Sequence, residues 1–295
     1  MAPRLGLGGG VTADPSNNLF NLLLDNYPAK AAFALRKLRR SYTGYAMKVR
    51  EGDTGTNYEA DVGFLPDGTI GDYSPIFNKT GGPGVNLVEF GNYGDLFLRT
   101  LYDQSGNGID ASETTIGYQC TVMSSGSLIT SGGLPAWEYD APDNLDIDGL
   151  KDIEYLDSWY LADADDSTYL YPSDTGDISN FGPVAQNNSG SGNQLGNNYG
   201  TSGTHAVTLY VNGASTSPSN RDDTHDLLNG QKLIHHSGGS SDDWGGFQVG
   251  RYEDQPSHSV HHYGGKMQEM IFFDSTQSSN RAGIDANLND YYSIY

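Results

Sequence analysis

The amino-acid sequence predicts an all-β sandwich with one helix before it and one after it. Three observations lead there. The 295 residues include 39 Gly, 12 Pro and 20 Tyr, a composition that suits many short strands joined by turns, with aromatic side chains on half-exposed faces. The apolar residues fall into short runs, many of them alternating, bounded by Gly, Ser, Asn, Asp or Pro. A chain of this length buries a sizeable core without metals or disulfides, and Cys120 is the single cysteine, so there is no internal disulfide.

Taken in order, residues 1–14 read as a flexible, Gly-rich arm whose Leu5, Leu7 and Val11 can act as apolar pegs on a neighbour. Residues 15–295 read as one sandwich domain. Leu19–Asp25 is a short apolar stretch. Pro28 then opens a predicted helix running to about Tyr42, with Ala31, Ala34, Leu35, Leu38 and Tyr42 on one stripe and Gly44 ending it. Lys30, Arg36, Lys37, Arg39 and Arg40 occupy the rest of its surface. With Lys48 and Arg50 they place seven of the 16 basic residues between 30 and 50. That basic helix is either a solvated face balanced by acidic loops or a docking face for an acidic partner.

Ala46–Val49 and Asp61–Phe64 read as strands. Residues 68–94 read as a long loop with a short strand near Leu87–Phe90. Leu96–Leu101 is a strand with Leu96, Leu98 and Thr100 on one face. It breaks at Tyr102-Asp103-Gln104-Ser105-Gly106-Asn107-Gly108. There Asp103 and Ser105 can fold back onto backbone N–H groups, and Gly106 and Gly108 can take positive φ. Ile109–Ala111 starts the return. Tyr118–Met123, Ser127–Thr130 and Ala136–Tyr139 follow as short strands. Residues 186–203 are low-complexity and predict a surface loop or loose hairpin. His205–Val211 alternates and is closed by Asn212-Gly213, a strong hairpin signal. Lys232–His235 and Phe247–Gly250 are further strands, and Gly265–Phe273 reads as a central one. Ser278-Ser279-Asn280 caps a final helix, Arg281–Tyr292, with Ile284, Leu288 and Tyr291 or Tyr292 at helical spacing. No fixed-period repeat stands out, which sets aside a solenoid or propeller.

The net charge of −21 argues against nucleic acid and anionic lipid as partners, and is compatible with basic partners or bound cations. No apolar run approaches the roughly 18 residues of a membrane-spanning helix. The N-terminus lacks the apolar run of a signal peptide, and the lone cysteine suits a reducing cytoplasm.

The turn Tyr102–Gly108 resembles a Tyr-Asp-Gln-Ser-Gly-Asn-Gly signature shared by two related groups. One is the catalytic domain of fungal α-L-arabinofuranosidase B. The other is a set of LamG-like, concanavalin-like jelly-roll proteins of phage virions and bacterial surfaces. Residues 29–50 resemble the family's opening helix and its Tyr-Thr-Gly exit (Tyr42-Thr43-Gly44), and residues 247–295 resemble its C-terminus. The resemblance implies a concanavalin/LamG-like jelly roll. It further implies a non-enzymatic virion component, whether capsid decoration, head fibre or tail fibre, assembled in the host cytoplasm. Such a protein would be a homo-oligomer. It would contact other virion proteins through residues 1–14 and the basic helix 30–50, and its surface would bind host or environmental glycans. The alternatives are a glycoside hydrolase acting on arabinose-containing polymers and a soluble or surface lectin.

For the hydrolase, two facing carboxylates are needed, about 5 Å apart in a retaining enzyme. The resemblance puts Asp254, or Glu253, at the acid/base position. The family's nucleophile is a mid-domain Glu, yet there is no Glu between Glu154 and Glu253. The family's adjacent cysteine pair is missing too. Aromatic side chains that can stack on sugar rings are Tyr160, Tyr199 and Trp244 first, with Tyr155, Trp159, Tyr169 and Tyr171 beside them. Residues 138–177 carry 13 acids and Lys151 as the one base. Asp163, Asp165 and Asp166, or Asp140, Asp143, Asp146 and Asp148, can supply oxygens to Ca²⁺, though without EF-hand spacing. No other cofactor is implied. Five of seven His cluster late (His235, His236, His258, His261, His262), with no Cys or fixed carboxylate nearby to complete a Zn²⁺ site.

Overall fold

The strand Gly265–Phe273 organises the molecule, as its apolar run predicts. In this computed structural model, Leu156–Ala164 hydrogen-bonds along one side of it. Ala31–Ala34 and Trp137–Tyr139 share the other side. The structure describes residues 22–52, 57–92, 94–140, 142–164, 172–173, 208–217, 226–239, 241, 246–250 and 263–295.

One sheet runs from Ala214–Thr216 through Thr208–Val211, Gly230–Gly239 and Leu156–Ala164 to Gly265–Phe273 and its two edge partners. A second sheet contains Thr121–Ser124, Leu96–Leu101, Met47–Glu51, Glu59–Val62 and Ile76–Phe77. Among the described residues a single pairing, Glu138 with Thr121, makes them one continuous antiparallel ladder. The core between them includes Phe33, Met47, Val49, Leu98, Tyr160, Met270 and Phe272. The outer face of the first sheet presents Ala32, Ala34, Trp159, Leu161, Ile271 and Phe273 to the C-terminal helix, Arg281–Tyr292, which answers with Ile284, Leu288 and Tyr292. A strand buried on both faces cannot alternate apolar with polar, which is why Met270–Phe273 is unbroken apolar sequence.

The same physics overturns the predicted helix over Pro28–Tyr42. Ala31–Ala34 is a strand with all four residues buried. Ala31 and Phe33 enter the sandwich core while Ala32 and Ala34 enter the layer under the helix. Small residues facing two apolar layers look like a helical stripe in one dimension. The helix at this end is a four-residue turn, Leu23–Asn26, just upstream. Leu87–Phe90 is likewise a helix rather than a strand. Asn86 Oδ1 accepts from Glu89 N at 3.0 Å, and Glu89 Oε2 accepts from Val85 N at 3.0 Å, a near-reciprocal cap.

Other expectations hold. Asn212 (φ 51°) and Gly213 (φ 76°) form the two-residue hairpin that joins Val211 to Ala214. The C-terminal helix spans Arg281–Tyr292, but Asn280 does not cap it through its side chain; Asn280 Nδ2 donates to Gln277 Oε1 instead. The long strand Leu156–Ala164 crosses the acid-rich stretch 138–177, where the sequence predicts no strand beyond Tyr139. Among the described residues, no helix is long and apolar enough to cross a membrane. The arm 1–14 and the low-complexity stretch 186–203 lie outside the described residues.

Candidate functional site

The turn Tyr102–Gly108 is a strut. Asp103 Oδ1 accepts from Ala32 N (3.0 Å) and Ser105 N (2.8 Å), and Oδ2 from Ser105 Oγ (2.6 Å) and Ile109 N (3.2 Å). Gln104 Oε1 accepts from Leu38 N, and Nε2 donates to the carbonyls of Ala34 and Arg36. Asn107 Nδ2 donates to the Lys30 carbonyl at 2.9 Å. Gly106, at φ 94°, lets the loop close over these bonds. The motif thus pins residues 29–38, across the chain, against the end of strand Leu96–Leu101. Gly106, Asn107 and Gly108 are exposed, while Tyr102, half-buried, donates to Asp61.

Tyr102 leads to a cleft of about 370 Å³. Its walls include Tyr42, Tyr45, Phe64, Pro75 and Phe77, with Lys37 on the rim. The segment pinned by the turn supplies Lys37 and leads into Tyr42 and Tyr45; the Glu59–Val62 strand leads into Phe64; the edge strand Ile76–Phe77 supplies Phe77. Tyr42 Oη donates to the Tyr45 carbonyl at 2.8 Å, and its ring meets Phe64 edge-on at 6.4 Å. Gly44 fits beneath it because a Cβ there would sit 2.5 Å from Tyr42 Oη. Tyr45 leans on Phe77 (5.2 Å) and Tyr102 (6.2 Å). Phe77 is 43% exposed and nearby Tyr73 is 74% exposed, so aromatic surface faces solvent here.

A polar strip borders these rings. Tyr102 Oη donates to Asp61 Oδ1 at 2.5 Å, and Asn78 Nδ2 donates to Asp61 Oδ2 at 2.7 Å. Lys48 Nζ lies 3.7 Å from Asp61 Oδ1. Burial, then Asp61, pushes the Tyr102 phenol far above its ordinary value. Burial, then Asp110 and Asp103, does the same to Tyr42. Both phenols therefore stay protonated donors across the physiological range. Ring faces beside fixed donors and acceptors suit a ligand with an apolar face and a hydroxylated edge, which is the chemistry of a pyranose or furanose ring.

The residues singled out in the sequence fare differently. Tyr160 is wholly buried, packed on Phe272 and His236 in the sandwich core, so it cannot stack on a sugar. Its place on a strand buried on both faces is the reason. Trp159 is also buried, donating Nε1 to Asp285 Oδ1 at 2.8 Å under the C-terminal helix. Tyr155 donates to Asp157 Oδ1. Tyr169, Tyr171, Tyr199 and Trp244 lie outside the described residues, as do Glu253 and Asp254. Of the Ca²⁺ candidates, Asp163 sits in a strand and accepts from Ser131 Oγ at 2.8 Å, while Asp165 and Asp166 lie outside the described residues. Asp143 Oδ2 accepts from Asp140 N, and Asp146 Oδ1 from Asn144 Nδ2. Among the described residues, no three His, Cys, Asp or Glu side chains gather as a metal-binding group. His235 and His236 are adjacent on one strand and face opposite layers; His258, His261 and His262 lie outside the described residues.

Most of the basic residues between 30 and 50 are engaged within the chain. Arg36 is buried against Glu269, Lys30 reaches Asp274 at 3.6 Å, and Arg40 reaches Asp25 at 3.9 Å. Arg39 donates to the Ser105 carbonyl, and Arg50 to Gln119 Oε1 and Asn57 Oδ1. Sequence reasoning missed the cleft because Tyr42 and Tyr45 were assigned to a helix and its exit. The available signal was Tyr42-Thr43-Gly44-Tyr45, two rings brought together by a glycine.

No family model and no curated protein matches the chain. Solved structures similar in fold are arabinofuranosidases. A Glu-to-Gln mutant of a GH54 α-L-arabinofuranosidase soaked with 4-nitrophenyl α-L-arabinofuranoside is 17% identical with a TM-score of 0.48. A GH54 α-L-arabinofuranosidase soaked with a cyclic sulfate inhibitor is 14% identical at 0.43, and an arabinofuranosidase complexed with arabinofuranosyl-α-1,2-xylobiose is 15% identical at 0.42. Each match covers 88% of this chain and 62% of the other, so the chain spans less than two thirds of these enzymes. The likeness is one of fold: mostly β, a large antiparallel sheet and a C-terminal helix.

Proposed function

We propose that this chain is a non-enzymatic structural component of a phage virion, and that its sandwich presents a glycan-binding cleft. The observation that carries the glycan reading is the cleft itself. Tyr45 and Phe77 offer ring surface, and Asp61, Asn78 and Tyr102 form a fixed polar strip beside it. The virion reading rests on the resemblance of Tyr102–Gly108 and of the C-terminal residues to LamG-like phage proteins. Decoration, head-fibre and tail-fibre positions, with self-association into a homo-oligomer, belong to the same proposal.

Two measurements test it. Mass spectrometry of purified particles should find this chain in stoichiometric amount; its absence from particles sinks the virion part. Screening the protein against an oligosaccharide panel should give binding that Phe77→Ala and Tyr45→Ala weaken without lowering thermal stability greatly. Binding untouched by both variants would move the site elsewhere. Hydrolysis of aryl arabinofuranosides that Asp254→Asn abolishes would replace the reading with a hydrolase.

A further inference from the structure

We infer that the cleft prefers glycans carrying a carboxylate, such as a hexuronic acid, with Lys37 as the cation that reads it. This rests on the glycan-binding reading and specifies its ligand.

Charge accounting in the 30–50 stretch points to Lys37. Lys30, Arg36, Arg40 and Lys48 each face a carboxylate within the chain. Arg39 and Arg50 are engaged by carbonyl or amide oxygens. Lys37 is held through its backbone, whose N–H donates to the Gly68 carbonyl at 2.7 Å. Its ammonium has no acceptor among the described residues, and it lines the cleft.

Two acids of the adjoining segments have partners of their own. Asp61 is already held by Tyr102, Asn78 and Lys48. Asp67 Oδ1 accepts from its own turn, Thr69 N and Thr69 Oγ1. A ligand whose ring lies on Tyr45 and Phe77 and whose carboxylate reaches Lys37 would use both features. The surrounding negative charge repels polyanions, but at physiological salt that repulsion is largely screened beyond about 8 Å, leaving the contact pair.

The test compares oligogalacturonate with its methyl-esterified form, which has the same length and rings but no charge. Wild-type protein should bind the acid form about tenfold more tightly, as a charge-assisted hydrogen bond allows. Lys37→Met should abolish the acid form's advantage over the ester, while Lys37→Arg should keep most of that advantage. Equal binding of both forms, unaffected by Lys37→Met yet lost in Phe77→Ala, overturns this inference and leaves the glycan cleft standing. Failure of the protein to bind either form overturns this inference, and only a panel without hits overturns the cleft as well.

Discussion

Arg36 and Glu269 meet at two points inside the protein: Nε donates to Oε2 at 2.7 Å and Nη2 to Oε1 at 3.1 Å. Arg36 is 5% exposed and Glu269 1%. The remaining capacity is filled by Tyr292 Oη, which donates to Glu269 Oε2, and by Asn287 Oδ1, which accepts from Arg36 Nη2. The guanidinium also lies over the Tyr291 ring at 4.5 Å. This pair joins the end of the first strand, the central strand and the C-terminal helix.

Removing one partner should therefore cost more than removing both. Glu269→Gln leaves a buried guanidinium without its counter-charge, and about 3–5 kcal/mol of stability should be lost. The double variant Arg36→Met, Glu269→Met should recover a large part of that loss. Urea unfolding of Arg36→Met, Glu269→Met and their double measures the coupling directly; additive losses would show that the pair is not a unit.

The Asp103–Gln104 strut gives a second outcome. Gln104→Ala leaves the Leu38 N–H and two carbonyls without their partner in a buried site, at roughly 1–3 kcal/mol per unsatisfied group. Limited proteolysis should then cut within residues 29–38 well below the global melting temperature. A variant that melts as one unit, with no early cleavage, would mean the strut does not govern this segment.

These two networks show what was legible in the sequence and what was not. The turn at Tyr102–Gly108 announced itself because its signals are local: Asp, Ser and two Gly at fixed offsets. Gly265–Phe273, the Asn212-Gly213 hairpin and the C-terminal helix were legible for the same reason. Ala31–Ala34 and Leu156–Ala164 were not: burial on both faces erases period-two alternation, and neither has the unbroken bulky apolar run that marks Met270–Phe273. Arg36 read as a solvated charge, since its partner is 233 positions away in sequence. The cleft was hidden likewise: its walls come from three segments that only strand pairing brings together.

Asp143 carries a pH signature. Burial raises its carboxyl to about 7, with the hydrogen bond from Asp140 N opposing and the charges of Asp140 and Glu113 adding to the rise. In the folded state it holds a proton that the unfolded chain has already released above about pH 4. Its contribution is thus fully present below that value and is lost as pH rises toward 7. Asp143→Asn keeps an acceptor for Asp140 N while removing the charge. The variant should match wild type near pH 4 and melt several degrees higher at pH 8. An equal gap at both values would assign the effect to packing instead.

His235 works in the opposite direction. Its ring lies flat on Trp159 at 3.7 Å and 4°, with Tyr210 on the other side at 5.1 Å. Among the described residues, neither ring nitrogen has a hydrogen-bond partner. Asp157 Oδ2 is 4.0 Å away, yet burial first and Arg281 second lower the imidazole to about 3, so it stays neutral. The unfolded chain protonates near 6.5, so from there down to about 3 the unfolded state binds a proton that the folded state does not. Stability should fall by about 1.4 kcal/mol per pH unit from this residue alone. His236, buried on the opposite face and lowered as well, adds to the slope. His235→Phe preserves the stack and abolishes the titration. Between pH 6 and 4 its unfolding free energy should decline less steeply than wild type by close to one proton's worth. Parallel curves for the two proteins would show that His235 is not the group that senses acid.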